Sequence, residues 1–457
     1  MSQAVPLHIV ILAAGKGRRM HSRRPKVLQP VGGRAMLAHV LDVALELPRE
    51  DIHVVYGSGG DQVRAAFAEA PVRWVEQPRQ LGTGDAVARA LPDIPDEHRV
   101  LVLMGDQPLL TASVLAPMIE SGADCAVLTM QPPDPHGYGR IRRDAAGAVA
   151  AIVEEADAGP EERAIGEVNS GILMFSAAPL RTWLAGLQAN NHQGEYYLTD
   201  ALAMAVAEGR VVEAHRAPDF RALLGANDLL QLAELERHYQ RRRVEALMRA
   251  GVRMAAPDTV IVRGQVDAES DTFLDIGVVI EGDVSLGEGS EIGPYSRVAD
   301  SRLAAGTRVL SHSVLEGVVS EGACTIGPFA RLRPGTVLAA GVKVGNFVET
   351  KKARFGAGAQ ASHLSYLGDA SLGRDVNIGA GTITCNYDGV DKHQTEIGDG
   401  VFIGSDSQLV APVKVGAGAY IGAGSTITRD APAGQLTLCR ARQRTIPDWK
   451  PPQKDSD

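Results

Sequence analysis

From Ile397 onward the aliphatic positions fall at intervals of six, at Ile397, Ile403, Leu409, Val415, Ile421 and Ile427, with glycine directly behind at Gly398, Gly404, Gly416 and Gly422. The same interval runs through Ile280, Leu286, Ile292 and Val298, and again through Ile326, Leu332, Leu338 and Val344. An amphipathic helix repeats at about 3.6 residues and a half-buried strand at about two, so a sustained interval of six is neither. It predicts a parallel β-helix, in which each short strand turns one aliphatic inward and a small residue lets the chain round the next corner. Antiparallel strands joined by glycine turns would alternate with period two instead. Residues 251–457 are assigned to this β-helix and a C-terminal tail.

The pattern breaks at two places. One runs from Glu349 to Leu367 and holds Lys351, Lys352, His363 and Tyr366; the other, TCNYDGVDKH after Ile383, holds Asn386 and Tyr387. Interruptions of a solenoid become loops on one face, often the binding face. His363 is the sharpest candidate, because imidazole is matched to taking a proton near neutral pH. A lone histidine is more often structural, and it is the company of Lys351 and the NYDG segment that favours a catalytic base. The other histidines, His39, His53 and His312 among them, read as ordinary surface or core residues.

Before residue 250 the pattern changes to short apolar runs separated by loops. The segment HIVILAAGKGRRMHSRRPKVLQPVGG lies on a run, Val5 to Ala14, that reads as a buried first strand, passes Gly15 and Gly17, and enters a basic stretch. Backbone amides of such a loop, with Arg19 and Lys26 close by, can neutralise phosphates and the charge that develops in phosphoryl transfer. A dinucleotide fingerprint would need a third glycine where Met20 stands. Val100 to Met104 reads as a second buried strand ending in Gly105-Asp106, at the carboxyl edge where parallel sheets take ligands. A carboxylate there suits Mg²⁺ and suits a helix cap equally well. Glu154 and Asn169 fit sugar hydroxyls or loop stabilisation. Helical spacing of Leu229, Leu232, Leu235, Tyr239, Leu247 and Met248 up to Gly251 predicts a linker helix over 228–250, with Arg241 to Arg243 on a solvated face. That leaves residues 1–227 as an α/β domain.

Length, composition and charge narrow the classes. A chain of 457 residues has room for two or three domains. Of 50 glycines, 29 follow residue 250, and aromatics are 4% of the chain, as small inward side chains require. Cys125, Cys324, Cys385 and Cys439 form no CxxC pair, which argues against a disulfide framework or thiolate zinc site and for a reducing cytoplasm. A net charge of -9 argues against a nucleic-acid binder. The first apolar run lacks a basic flank and is too short to span a bilayer.

LAAGKGRRM followed by PKVLQPVGGRAML is similar to the sugar-1-phosphate nucleotidyltransferases, whose motif is L-A-A-G-x-G-T-R-M followed by P-K. Arg18 stands where that motif has Thr or Ser. EQPRQLGTGDAV matches the family's Q-x-x-x-L-G-T-x-x-A segment, and VLVLMGDQPLL, HGYGRI, IVEEADA, EVNSGI and GEYYLTD follow in family order. The C-terminal coils resemble the left-handed β-helix of the hexapeptide-repeat acyltransferases, which work as trimers with active sites between subunits. From Leu12 through Arg440 the chain thus resembles the bacterial bifunctional enzymes that join an N-acetylglucosamine-1-phosphate uridylyltransferase to a glucosamine-1-phosphate acetyltransferase.

The resemblance implies a Rossmann-like α/β nucleotidyltransferase domain, a linker helix and a left-handed parallel β-helix. It implies that Leu12, Ala13, Ala14, Gly15, Lys26, Gln77, Gly82, Thr83, Met104, Gly105, Asp106, Gly139, Glu154, Asn169 and Asn227 contact the uridine nucleotide sugar, Met104 standing where the family often has Tyr. Asp106 and Asn227 would hold Mg²⁺, and Arg19 and Lys26 would offset charge on the departing pyrophosphate. Arg333, Lys351, Tyr366 and Asn377 would bind the amino-sugar phosphate, with His363 as general base. Ala380, Asn386, Tyr387, Ser405, Ala423 and Arg440 would surround acetyl-CoA. The co-substrates expected are UTP and acetyl-CoA; a homotrimer through the β-helix is expected, with no nucleic acid, no membrane insertion and a cytoplasmic site of action. A β-helix that only scaffolds the first domain would have no reason to carry His363, Lys351, Asn386-Tyr387 and Arg440.

Overall fold

The computed structural model describes residues 5–452. By its internal contacts the chain divides between Tyr239 and Gln240.

The N-terminal unit is built on a twisted sheet in which one inner strand, Leu7–Ala13, is apolar throughout except His8. The reason is two-sided burial: Ile9 and Ile11 enter one core cluster and Val10 the other. Strands order across the sheet as Val212–Arg216, Cys125–Met130, Val168–Ser176, Arg99–Met104, Leu7–Ala13, Asp51–Tyr56 and Arg73–Glu76. Along this order all neighbours run parallel except Val168–Ser176, which is antiparallel to both of its own; off this order Arg140–Arg143 pairs antiparallel with Val168–Ser176 and with Val149–Val153. The loops leaving Leu7–Ala13 and Arg99–Met104 therefore emerge side by side at one edge, where the Gly105 amide donates to the Leu12 carbonyl at 3.0 Å. At the opposite edge His8 bridges His53 (3.1 Å) and His98 (3.0 Å), which accounts for His53 as a core residue.

A helix spans Leu229–Arg249. Its Leu235 packs with Met20, Val31 and Met36, and its Val244 joins the core of the second unit.

The second unit is a parallel β-helix carrying one 11-stranded and one 17-stranded ladder. Every aliphatic of the six-residue register is at most 3% exposed and lies in a single core cluster. The trailing glycines follow from close coil stacking. A Cβ at Gly398 or Gly404 would come within 2.6 and 2.5 Å of the backbone nitrogens of Ala417 and Ala423 on the next coil.

One expected break is absent. Across Glu349 to Leu367 the coils continue without insertion: Val344 pairs with Ala361 and Ala361 with Ile378, each 17 residues on. The inward positions are taken by Thr350, Phe355, Ala361 and Leu367, all at most 1% exposed. A threonine, an alanine and one step of five hid the repeat from an aliphatic count. The second break is an insertion: Ile378 pairs with Ile403, 25 residues on, and the excess lies in the loop between the strands Ile383–Cys385 and Thr395–Ile397.

Two candidate active sites

In the N-terminal unit two adjoining cavities, of about 450 and 260 Å³, open at the edge where the strand-end loops meet. Leu12, Lys26, Thr83, Met104 and Asp106 form the wall common to both. The first cavity also takes in Ala13, Ala14, Gly15 and Gln77 with Gly82, and the second Gly139, Glu154, Asn169 and Asn227. Gly105 lies behind this wall. Its Cβ would come 3.0 Å from the Leu12 carbonyl, so glycine is what lets the two strand ends approach.

Lys26 is the hub. Its ammonium lies 2.6 Å from Asp106 Oδ2 and donates to Asn227 Oδ1 at 2.8 Å, joining residues 201 positions apart in the chain. Both oxygens thus converge on one cation. Gly225 makes room for the carboxylate, since a Cβ there would stand 2.9 Å from Asp106 Oδ2. One carboxylate and one amide oxygen at an open cavity fit Mg²⁺, which takes oxygen ligands and keeps its other positions for water and substrate phosphate. Among the described residues no cluster of three or more His, Cys, Asp or Glu is placed to hold a metal, so a closed protein cage is not what this edge provides.

The loop at Gly82 and Thr83 is fixed from outside. Gly82 has φ of 122°, and a Cβ would meet the Tyr196 carbonyl at 2.4 Å. The Gly84 amide donates to the Tyr196 carbonyl and the Thr83 hydroxyl accepts from the Leu198 amide. Gln77, 3% exposed, donates to the Gly82 carbonyl (3.1 Å) and to Asp85 (2.8 Å) from the other side. In the second cavity Glu154 accepts from the Thr199 hydroxyl at 3.0 Å, and burial pushes its carboxyl above the usual range. Asn169 accepts from the Gly171 amide. Of the two adjacent arginines, Arg18 lines the first cavity and Arg19 lines neither. The departure from the family motif thus puts a cation where the motif has a hydroxyl.

In the β-helix the candidates fall into columns, because successive coils bring residues about 17 apart to the same place. Register pairs Ala361–Ile378, Ile378–Ile403 and Ile403–Ile421 set His363, Ala380, Ser405 and Ala423 two residues further on in each coil, in one file along the solenoid. Arg440 donates to the Ala423 carbonyl at 2.9 Å, at the far end of that file. The file starts at an exposed imidazole and continues through the small residues Ala380, Ser405 and Ala423.

Arg333 sits one coil before Lys351 and is paired with Glu349 at 2.9 Å. Tyr366 follows Glu349 in register. Asn386, 8% exposed, donates to Asp369 at 2.6 Å, and Tyr387 donates to the Gly389 carbonyl within the inserted loop. Asn377 is an outward residue of the strand Asn377–Ile378, in the ladder that carries His363. The same loop presents Lys392, whose ammonium beside Lys351 holds the latter below its ordinary value. Sequence reasoning missed Lys392, although it lies in the inserted loop; only folding puts it against Lys351, whose other cationic neighbour is Arg333. Two ammonium groups brought together beside a guanidinium make a site for a dianion.

Residues 9–169 match the MobA-like NTP transferase domain and residues 394–429 the bacterial transferase hexapeptide (six repeats). The chain is 56% identical over 458 residues to the bifunctional protein GlmU of Alkalilimnicola ehrlichii, covering 100% of this chain and 98% of that protein. It is 55% identical to the bifunctional protein GlmU of Stenotrophomonas maltophilia over 99% of each chain, and 56% identical to that of Xanthomonas euvesicatoria over 98% and 99%.

Proposed function

Because the chain belongs to the bifunctional GlmU family, we propose that its β-helix unit acetylates glucosamine 1-phosphate with acetyl-CoA and its N-terminal unit transfers UMP from UTP to the N-acetylglucosamine 1-phosphate so formed. The product is UDP-N-acetylglucosamine, a precursor for peptidoglycan and lipopolysaccharide. The observation that carries this reading is that one chain holds two separate sets of anion-binding groups, Lys26 with Arg18 at one and Lys351 with Lys392 and Arg333 at the other.

In acetyl transfer the amine nitrogen of glucosamine 1-phosphate attacks the thioester carbonyl. His363 takes the proton that nitrogen sheds, the C–S bond breaks, and His363 returns that proton to the departing sulfur, releasing CoA as its thiol. Arg333, Lys351 and Lys392 hold the sugar phosphate, and Tyr366 and Asn377 border it, with Asn386 on the acetyl-CoA side. Acetyl-CoA lies along the file of Ala380, Ser405 and Ala423, with Tyr387 and Arg440 at its flanks.

In uridylyl transfer a phosphate oxygen of N-acetylglucosamine 1-phosphate attacks the α-phosphorus of UTP and pyrophosphate leaves. The protein's work is to position and to offset charge. Leu12 to Gly15, Gln77, Gly82 and Thr83 enclose the nucleotide, Gly139, Glu154 and Asn169 the sugar, and Lys26 with Arg18 faces the phosphates, Arg19 lying outside the lining of both cavities. Asp106 and Asn227 would hold Mg²⁺, which when bound supplies charge neutralisation at the phosphate oxygens. We further infer a homotrimer assembled through the β-helix and a cytoplasmic location, supported by four free cysteines. Among the described residues no helix is long and apolar enough to cross a membrane.

The test supplies glucosamine 1-phosphate, acetyl-CoA, UTP and Mg²⁺ to the purified chain and follows free thiol and pyrophosphate separately. Release of both is expected, with pyrophosphate dependent on prior acetylation. Pyrophosphate from supplied N-acetylglucosamine 1-phosphate with no thiol release would reduce the β-helix to a scaffold.

A further inference from the structure

We propose that Asn346 is the positioning residue of the acetyl-transfer base, fixing the tautomer of His363 and the direction in which its ring presents a lone pair. The inference rests on the reading of His363 as the base.

Asn346 ends the strand Lys343–Asn346, and His363 ends Gln360–His363; the two are direct partners in the parallel ladder. Asn346 Oδ1 lies 2.9 Å from His363 Nδ1. An amide oxygen only accepts, so Nδ1 carries the proton and donates it, and Nε2 keeps the lone pair. The backbone locks the pair, because the Leu364 amide donates to the Asn346 carbonyl at 3.0 Å and the Ser365 hydroxyl donates to the His363 carbonyl at 2.8 Å. In the column next to Asn346 the exposed rings of Phe329 and Phe347 stack 5.5 Å apart, and the register position after His363 is Ala380, too small to cover the imidazole. The ring is thus held on the Nδ1 side and open on the Nε2 side.

The choice of an amide has a consequence. A carboxylate at this position would stabilise the imidazolium and slow return of the proton, whereas a neutral acceptor orients the ring with less change to its basicity.

The experiment compares Asn346→Ala, Asn346→Asp and His363→Ala in the full chain, measuring kcat and KM for acetyl transfer across pH, with uridylyl transfer as a control for folding. Asn346→Ala is expected to lower acetyl-transfer kcat by about 10- to 100-fold, the scale on which misplacing a catalytic group costs rate, with KM for glucosamine 1-phosphate nearly unchanged. Asn346→Asp, nearly isosteric, is expected to keep substantial activity while the acid limb of its kcat/KM profile moves to higher pH. Unchanged kcat in Asn346→Ala and a superimposable profile in Asn346→Asp, beside an inactive His363→Ala, would overturn the role of Asn346 alone. An active His363→Ala would overturn the base reading and this inference with it.

Discussion

Lys26 and Asp106 face each other at 2.6 Å across the wall that separates the two cavities of the N-terminal unit, and Asn227 accepts from the same ammonium. The lysine occupies the point at which the two proposed Mg²⁺ ligands converge; Asp106 and Asn227 would hold the ion, and Lys26 would then offer its charge to the phosphates. Asp106→Asn and Lys26→Gln are each expected to lower pyrophosphate release on the order of 100-fold while thiol release is unchanged. Parallel loss of thiol release in a folded variant would contradict two separate sites.

Gly82 reaches φ of 122° with the Tyr196 carbonyl 2.4 Å from where a Cβ would stand. Gly82→Ala therefore meets both backbone strain and a clash with main chain that cannot swing away. A loss of about 1–3 kcal/mol in stability of the unit is expected, along with a raised KM for UTP. Urea unfolding followed by tryptophan fluorescence, with Trp74 and Trp183 as reporters, checks the first and steady-state kinetics the second.

Burial raises the Glu154 carboxyl above its ordinary value, so the fold favours its protonated form. The stability this confers is present below the unfolded-state value and is lost as pH rises through the raised folded value. Glu154→Gln removes that dependence. Its stability relative to wild type is expected to improve from about pH 4 to about pH 7, and a constant difference across that range in denaturant titrations would refute the assignment.

Lys392 stands beside Lys351, and the Asp369 carboxylate only partly offsets the repulsion. If the pair is built for a sugar phosphate, Lys392→Gln should raise KM for glucosamine 1-phosphate about five- to tenfold, and the difference from wild type should shrink at high salt. Kinetics at two ionic strengths decide it; an effect on acetyl-CoA alone would place the lysine elsewhere.

Arg18 lines the cavity proposed for the nucleotide, where the related motif carries a hydroxyl. Arg18→Thr is expected to weaken UTP binding several-fold more than Arg19→Thr, an ordering that KM values for UTP test directly.

The aliphatics from Ile280 to Ile427 announced the β-helix because each inward position is a local choice: a six-residue step places one side chain in the core wherever it occurs. The strand Leu7–Ala13 and the turn into Gly105-Asp106 were legible for the same reason, since burial on both faces demands an unbroken apolar run. The coil from Glu349 to Leu367 was not, because Thr350 and Ala361 fill inward positions without looking apolar enough to count. What only the tertiary structure decided are the meetings of distant residues. Lys26 with Asn227 depends on the order in which strands join the sheet, Lys351 with Lys392 on where an inserted loop folds back, and Asn346 with His363 on a coil of 17 residues that stacks one side chain on the other. Composition along the chain records which residues a site has; coil length and strand order determine which of them touch, and those are properties of the packed backbone.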